Sequence, residues 1–83
     1  MTEYRTILYV IGIALVEIRA SEKIAKSRAL ADIFHNVPAG ISTGKPEAEI
    51  VQEVMSRAAR LGIERTISNY FKLAEKSIFP QLI

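Results

Sequence analysis

Residues 7–16 form an unbroken run without charge, bounded by Arg5 and Glu17. Two interpretations of residues 7–18 are open. The density of β-branched and aromatic side chains favours a buried strand. No turn signal separates the run from the alanine-rich, charged segment after it, and this continuity favours one long helix over about 4–35. We favour the helix.

Positions that are apolar except for one serine recur along this predicted helix at spacings of four or three residues, as in a helical seam. The positions are Tyr9, Ile13, Val16, Ala20, Ile24, Ser27, Ala31 and Phe34. A helix that is apolar on every side is a buried helix, and a chain of 83 residues is too short to cover one alone. We therefore expect the first helix to form the core of a homodimer or homotetramer. The predicted contact residues are Ile7, Ile11, Ala14, Leu15 and Ile18.

The rest of the chain is predicted to form a linker and two further helices. Asn36 and the proline two residues after it end the first helix, so that the first helix takes residues 1–36 and the linker residues 37–45. Proline suits the first position of a helix, and Pro46 begins a second helix over 46–62, which Gly62 ends. A third helix covers 63–79. The predicted fold is a single all-α domain over residues 1–83, a long N-terminal helix followed by an αα-hairpin.

Composition narrows the classes of function. The chain has no cysteine, which excludes disulfides, thiolate zinc sites and thiol catalysis. Its net charge of +2 comes from eleven basic and nine acidic residues that are mixed along the chain, so nucleic acid is neither required nor excluded as a partner. The uncharged run is shorter than the roughly 20 residues that span a bilayer. No export signal is apparent, and we expect a cytoplasmic protein without a membrane span.

The segment 58–72 contains an alanine four residues before Gly62, an apolar Ile63 directly after it, and several hydrogen-bonding side chains beyond. This arrangement resembles the helix-turn-helix motif of DNA-binding regulators. The resemblance implies DNA contacts by Arg65, Thr66, Ser68, Asn69 and Lys72. The segment departs from the motif at Ser68, where a buried aliphatic is expected, because Ile67 comes one residue early. The alternative is an ordinary pair of helices with a glycine cap.

Residues 30–36, with the sequence Leu-Ala-Asp-Ile-Phe-His-Asn, resemble a short stretch of the HD-type hydrolases of guanosine tetraphosphate. The resemblance implies that Asp32 is a metal ligand and Asn36 a site residue. That family needs further histidines upstream, whereas this chain has one histidine in total. Asp32 and His35 lie one helical turn apart and can reach one metal ion by themselves. The simpler interpretation is that Asp32 pairs with Arg28 and His35 interacts with the helix end.

Together these patterns predict a small homo-oligomeric protein with a binding or regulatory role, no catalytic residues, no metal and no cofactor. A DNA-binding regulator that uses residues 58–72 is the main alternative. A metal-assisted hydrolase centred on Asp32 and His35 is the least favoured hypothesis.

Overall fold

The computed structural model describes residues 4–78, and these residues form helices joined by turns, with no strand among them. The prediction of an all-helical chain is confirmed, and the strand considered for residues 7–18 is absent. Within the described residues no helix has both the length and the apolar composition that crossing a membrane requires. The helices are α1 (Arg5–Ala20), α2 (Ile24–Phe34), α3 (Val37–Ser42), α4 (Glu47–Arg60) and α5 (Glu64–Ile78).

The single long helix predicted over 4–35 is wrong, because the chain leaves the helical conformation between Ser21 and Lys23. Ser21 has ψ 130° and Lys23 has ψ 112°, both extended values. The hydroxyl of Ser21 accepts a hydrogen bond from the Lys23 amide at 3.1 Å and lies 3.2 Å from the Lys23 carbonyl oxygen, to which it donates. A serine side chain bonded to nearby backbone in this way replaces helical hydrogen bonds.

The break allows α2 to fold back and contact α1. In one straight helix, Val10 and Ile33 would be separated by about 35 Å at 1.5 Å per residue. In the folded chain both are buried in the same core, Val10 at 0% and Ile33 at 1% exposure. Burial of the apolar side of α2 against α1 therefore accounts for the break, because a continuous helix would leave both sides in water.

The segment predicted as the linker 37–45 contains the short helix α3. Pro38 lies in its first turn, where a backbone amide hydrogen is not needed. Gly40 is buried, and a Cβ at this residue would lie 3.3 Å from Cγ1 of Ile50, so the glycine permits close contact between α3 and α4. Gly44 then ends the segment with φ 77°, a value that favours glycine.

The core is formed by one side of each of the longer helices. Helix α1 contacts α2, α4 and α5, and α4 contacts α5 across the turn at Gly62, whose φ is 75°. Helices α4 and α5 lie within the predicted ranges 46–62 and 63–79, of which residue 79 is outside the described part of the chain. The buried hydrophobic residues are Ile7, Val10, Ala14, Leu30, Ile33, Phe34, Val37, Ile50, Val54, Ala58, Ile67, Tyr70 and Ala74.

Candidate interaction surfaces

Helix α1 has an exposed apolar side opposite the core. Leu8 is 51% exposed, Tyr9 42%, Leu15 51% and Val16 66%, and Gly12 lies among them, also exposed. These five residues, called the α1 face below, recur at spacings of three and four and therefore share one side of the helix. No charged residue lies between the first and last of them.

The predicted oligomer contacts only partly coincide with this surface. Ile7 is 0% and Ala14 2% exposed within the single chain, so these two residues belong to its core and not to its exposed surface. Ile11 and Ile18 are half-buried against the core. Leu15 is the predicted contact that the fold leaves exposed. The cause is the packing of α2 and α5 on the side of α1 that carries Ile7 and Ala14.

Gly12 lies at the centre of the α1 face. A Cβ at this position would meet no atom within 4 Å, so the packing of the described residues does not require a glycine here. Glycine inside a helix is about 0.5–1 kcal/mol less favourable than alanine. The missing side chain leaves a gap through which the backbone of a second helix can approach α1.

Helices α1 and α5 run antiparallel. The hydroxyl of Tyr9 donates to Oγ of Ser77 at 2.8 Å. Near the other end of α1, Glu17 lies close enough to Tyr70 of α5 for its carboxylate charge to influence the phenol. Leu73 lies one turn before Ser77 on the same side of α5 and is 51% exposed. It therefore stands beside the α1 face and extends the apolar surface onto the second helix.

Tyr70 carries a buried hydroxyl. The residue is 5% exposed, and its oxygen has no hydrogen-bond partner among the described residues. Burial, and to a smaller extent the Glu17 carboxylate, raises the pKa of this phenol above its usual value near 10. The hydroxyl is thus a polar group that the core leaves unsatisfied.

A Tyr70→Phe variant is expected to keep or increase the free energy of unfolding, by up to about 1–2 kcal/mol, because it removes an unsatisfied hydroxyl and keeps the ring. Above about pH 10 an unfolded tyrosine loses its proton more readily than Tyr70 does in the folded chain, so the free energy of unfolding of the wild type falls as the pH rises. Phenylalanine has no such proton, so the variant lacks this part of the pH dependence. Urea unfolding at pH 7 and at about pH 10.5 measures both effects.

The matched control is Tyr4→Phe. The Tyr4 hydroxyl donates to the Lys45 carbonyl oxygen at 2.9 Å, so this change is expected to lower stability by about 0.5–1.5 kcal/mol. A similar loss in Tyr70→Phe would mean that the Tyr70 hydroxyl has a hydrogen-bond partner, contrary to the structure.

The outer side of α5 is polar and mostly basic. Four exposed residues recur on it at spacings of four, three and four, and we call them the α5 polar face: Arg65, Asn69, Lys72 and Lys76. Of the predicted DNA contacts, Thr66 and Ser68 are half-buried and lie to either side of this line. The sequence prediction omitted Lys76, although its spacing of four from Lys72 continues the same pattern.

Asp32 and His35 are both exposed at the end of α2. Arg57 donates to the backbone carbonyl of Asp32 at 3.3 Å, which ties α4 to the end of α2. No group of three or more potential ligand side chains is present in the described part of the chain. The carboxylate and the imidazole therefore offer two ligands per chain, fewer than a typical protein metal site has.

A small cavity lies between α2, α3 and α4. Its volume is about 20 Å³, which is room for one water molecule and not for an organic ligand. Lys45 and Glu53 line it and form an ion pair at 2.7 Å. The hydrogen bond to Glu53, together with its charge, raises the pKa of Lys45.

Two surfaces of the described chain thus stand out: the apolar α1 face and the basic α5 polar face. No protein-family model, curated protein or solved structure matches this chain. The chemistry of these two surfaces is therefore the basis for assigning a function.

Proposed function

We propose that the chain is a homodimeric protein with a binding or regulatory role, and that two copies associate through the α1 face. The observation that carries this proposal is the exposure of four large apolar side chains around Gly12 on a helix whose other side is already buried. Contiguous exposed apolar surface of this kind marks interaction sites in folded proteins. A second copy offers the same apolar surface, so a single contact would cover the α1 face of both chains.

The expected affinity is modest. The four large side chains of the α1 face and Leu73 are each about half exposed, so burying the rest contributes about 1 kcal/mol per side chain. Ten such side chains in a dimer contribute about 10 kcal/mol, against at least about 4 kcal/mol for lost freedom of motion. The Kd is then of the order of tens of micromolar or weaker.

The test is to measure the mass of the protein in detergent-free buffer at chain concentrations from about 1 to 500 µM. The mass is expected to rise from the 9.2 kDa of one chain to about twice that value. Sedimentation equilibrium measures it. A constant mass of one chain up to the highest concentration would contradict the proposal.

A second function is favoured by the α5 polar face. Its three cations and one amide lie between positions 65 and 76, eleven residue steps or about 17 Å of helix, and no apolar residue interrupts the line. Lysine and arginine bind phosphates, and arginine and asparagine are common readers of base edges in the major groove. We propose duplex DNA as the partner of this face, with α5 as the helix that enters the groove.

Replacing Arg65 and Lys72 together by alanine is expected to weaken binding of a short DNA duplex at about 50 mM salt. Log affinity falls with log salt, and each lost phosphate contact makes this slope shallower by about 0.9. Losing two contacts therefore reduces its magnitude by about 1.8. Fluorescence anisotropy over a salt series measures the slope. The control is Lys26→Ala, which removes an exposed cation from α2. No binding at about 20 mM salt, or an equal loss in the control, would exclude this role for α5.

A further inference from the structure

We infer that the partner of the α1 face is a second copy lying antiparallel to the first, with the two-fold axis at Gly12. This inference rests on the proposed homodimer and adds its geometry. The residues of the face are distributed symmetrically about Gly12. Apolar side chains lie three and four residues before it and three and four residues after it, and an arginine lies seven residues away on each side: Arg5, Leu8, Tyr9, Leu15, Val16 and Arg19.

An antiparallel two-fold contact places each residue opposite the residue at the same distance on the other side of Gly12. Leu8 then meets Val16 of the second copy, and Tyr9 meets Leu15. Every large side chain of the face meets a large side chain, and the two glycines meet at the closest approach of the helices. Because a Cβ at Gly12 would touch no other described residue of its own chain, the packing of residues 4–78 leaves space beside it for the other backbone.

The helix dipoles favour the antiparallel arrangement. At each end of the contact, Arg5 of one copy lies level with Arg19 of the other. The partly positive N-terminus of one α1 then lies beside the partly negative C-terminus of the other, and this C-terminus offsets part of the repulsion between the two guanidinium groups.

A parallel arrangement places Arg5 beside Arg5 of the second copy. The next carboxylate of α1 among the described residues is that of Glu17, twelve residues or about 18 Å away. Glu47 is nearer, but its Oε2 accepts a hydrogen bond from the Ile7 amide at 3.2 Å, on the core side of α1. The two arginines would then face each other at two partly positive helix N-termini, whereas each arginine pair of the antiparallel dimer lies beside one N-terminus and one partly negative C-terminus.

The chain contains no cysteine, so any disulfide between two copies must form at the introduced cysteines and reports the orientation of the two helices. Disulfide formation requires Cα atoms within about 7 Å. Gly12→Cys is expected to cross-link in either orientation and reports contact through the α1 face. Leu8→Cys mixed with Val16→Cys cross-links the two variants only if the helices are antiparallel, whereas each of these variants alone cross-links only in a parallel dimer.

The expected result is a cross-linked dimer from Gly12→Cys and from the Leu8→Cys and Val16→Cys mixture, with at least about tenfold less from either single variant. Mass under reducing conditions at about 500 µM checks that each variant still associates. Cross-linking of Leu8→Cys alone would overturn the antiparallel geometry and leave the homodimer standing. A dimer by mass that Gly12→Cys does not cross-link would place the contact elsewhere and also overturn it. A wild-type chain that is monomeric at every concentration would instead refute the homodimer itself.

Discussion

A Leu15→Asp variant is expected to be a folded monomer. Leu15 is 51% exposed within the single chain, so an aspartate at this position remains in water and the core is unchanged. In the dimer the same carboxylate would be buried against an apolar surface without a partner, which is strongly unfavourable. We expect the Kd to rise at least about 100-fold, equivalent to about 2.7 kcal/mol.

Two measurements separate dissociation from unfolding. Sedimentation at about 100 µM is expected to give the mass of one chain, while circular dichroism shows unchanged helix content and a melting temperature like that of the wild-type monomer at high dilution. Leu61→Asp is the matched control, because Leu61 is 44% exposed and lies between α4 and α5. It is expected to leave the mass unchanged. A dimeric Leu15→Asp variant, or an equal effect in the control, would contradict the role of the α1 face.

The helices of this chain were predictable because their apolar patterns are local. Gly62 ends α4 as predicted, since a positive φ after a helix is a property of the glycine itself. The break at Ser21 has no comparable signal, because neither glycine nor proline marks it. What decides it is the burial of Leu30 and Ile33 against α1, a contact between residues far apart in sequence.

The sequence predicts how far the apolar surface of α1 extends along the chain, but not which side of the helix is buried. It shows that the helix is apolar on all sides, and in the structure both the buried and the exposed side are apolar. It does not show which side α2 and α5 cover. The sequence therefore predicts a contact between chains for Ile7 and Ala14, whereas the fold places them in the core. Which residues around Gly12 are exposed depends on the packing of α2 and α5.

Ile67→Ala is expected to lower the free energy of unfolding by about 2–5 kcal/mol, a large part of the roughly 5–10 kcal/mol typical of a small domain. Ile67 is 0% exposed, so the truncation leaves a cavity in the core. Ser68→Ala is the matched control in the neighbouring position. Ser68 is half-buried and makes no side-chain hydrogen bond among the described residues, so its loss is expected to stay within about 0.5 kcal/mol.

Urea unfolding of the two variants at low chain concentration compares them directly. The comparison also fixes which side of α5 faces outward, because the helix-turn-helix pattern expects the buried aliphatic at position 68 and the structure places it at position 67. A rotation of one residue turns a helix by about 100°. With Ile67 in the core, the outer line is the α5 polar face, and Thr66 and Ser68 lie at its edges. A larger loss in Ser68→Ala than in Ile67→Ala would mean that the helix is rotated, and a different set of residues would then face the DNA.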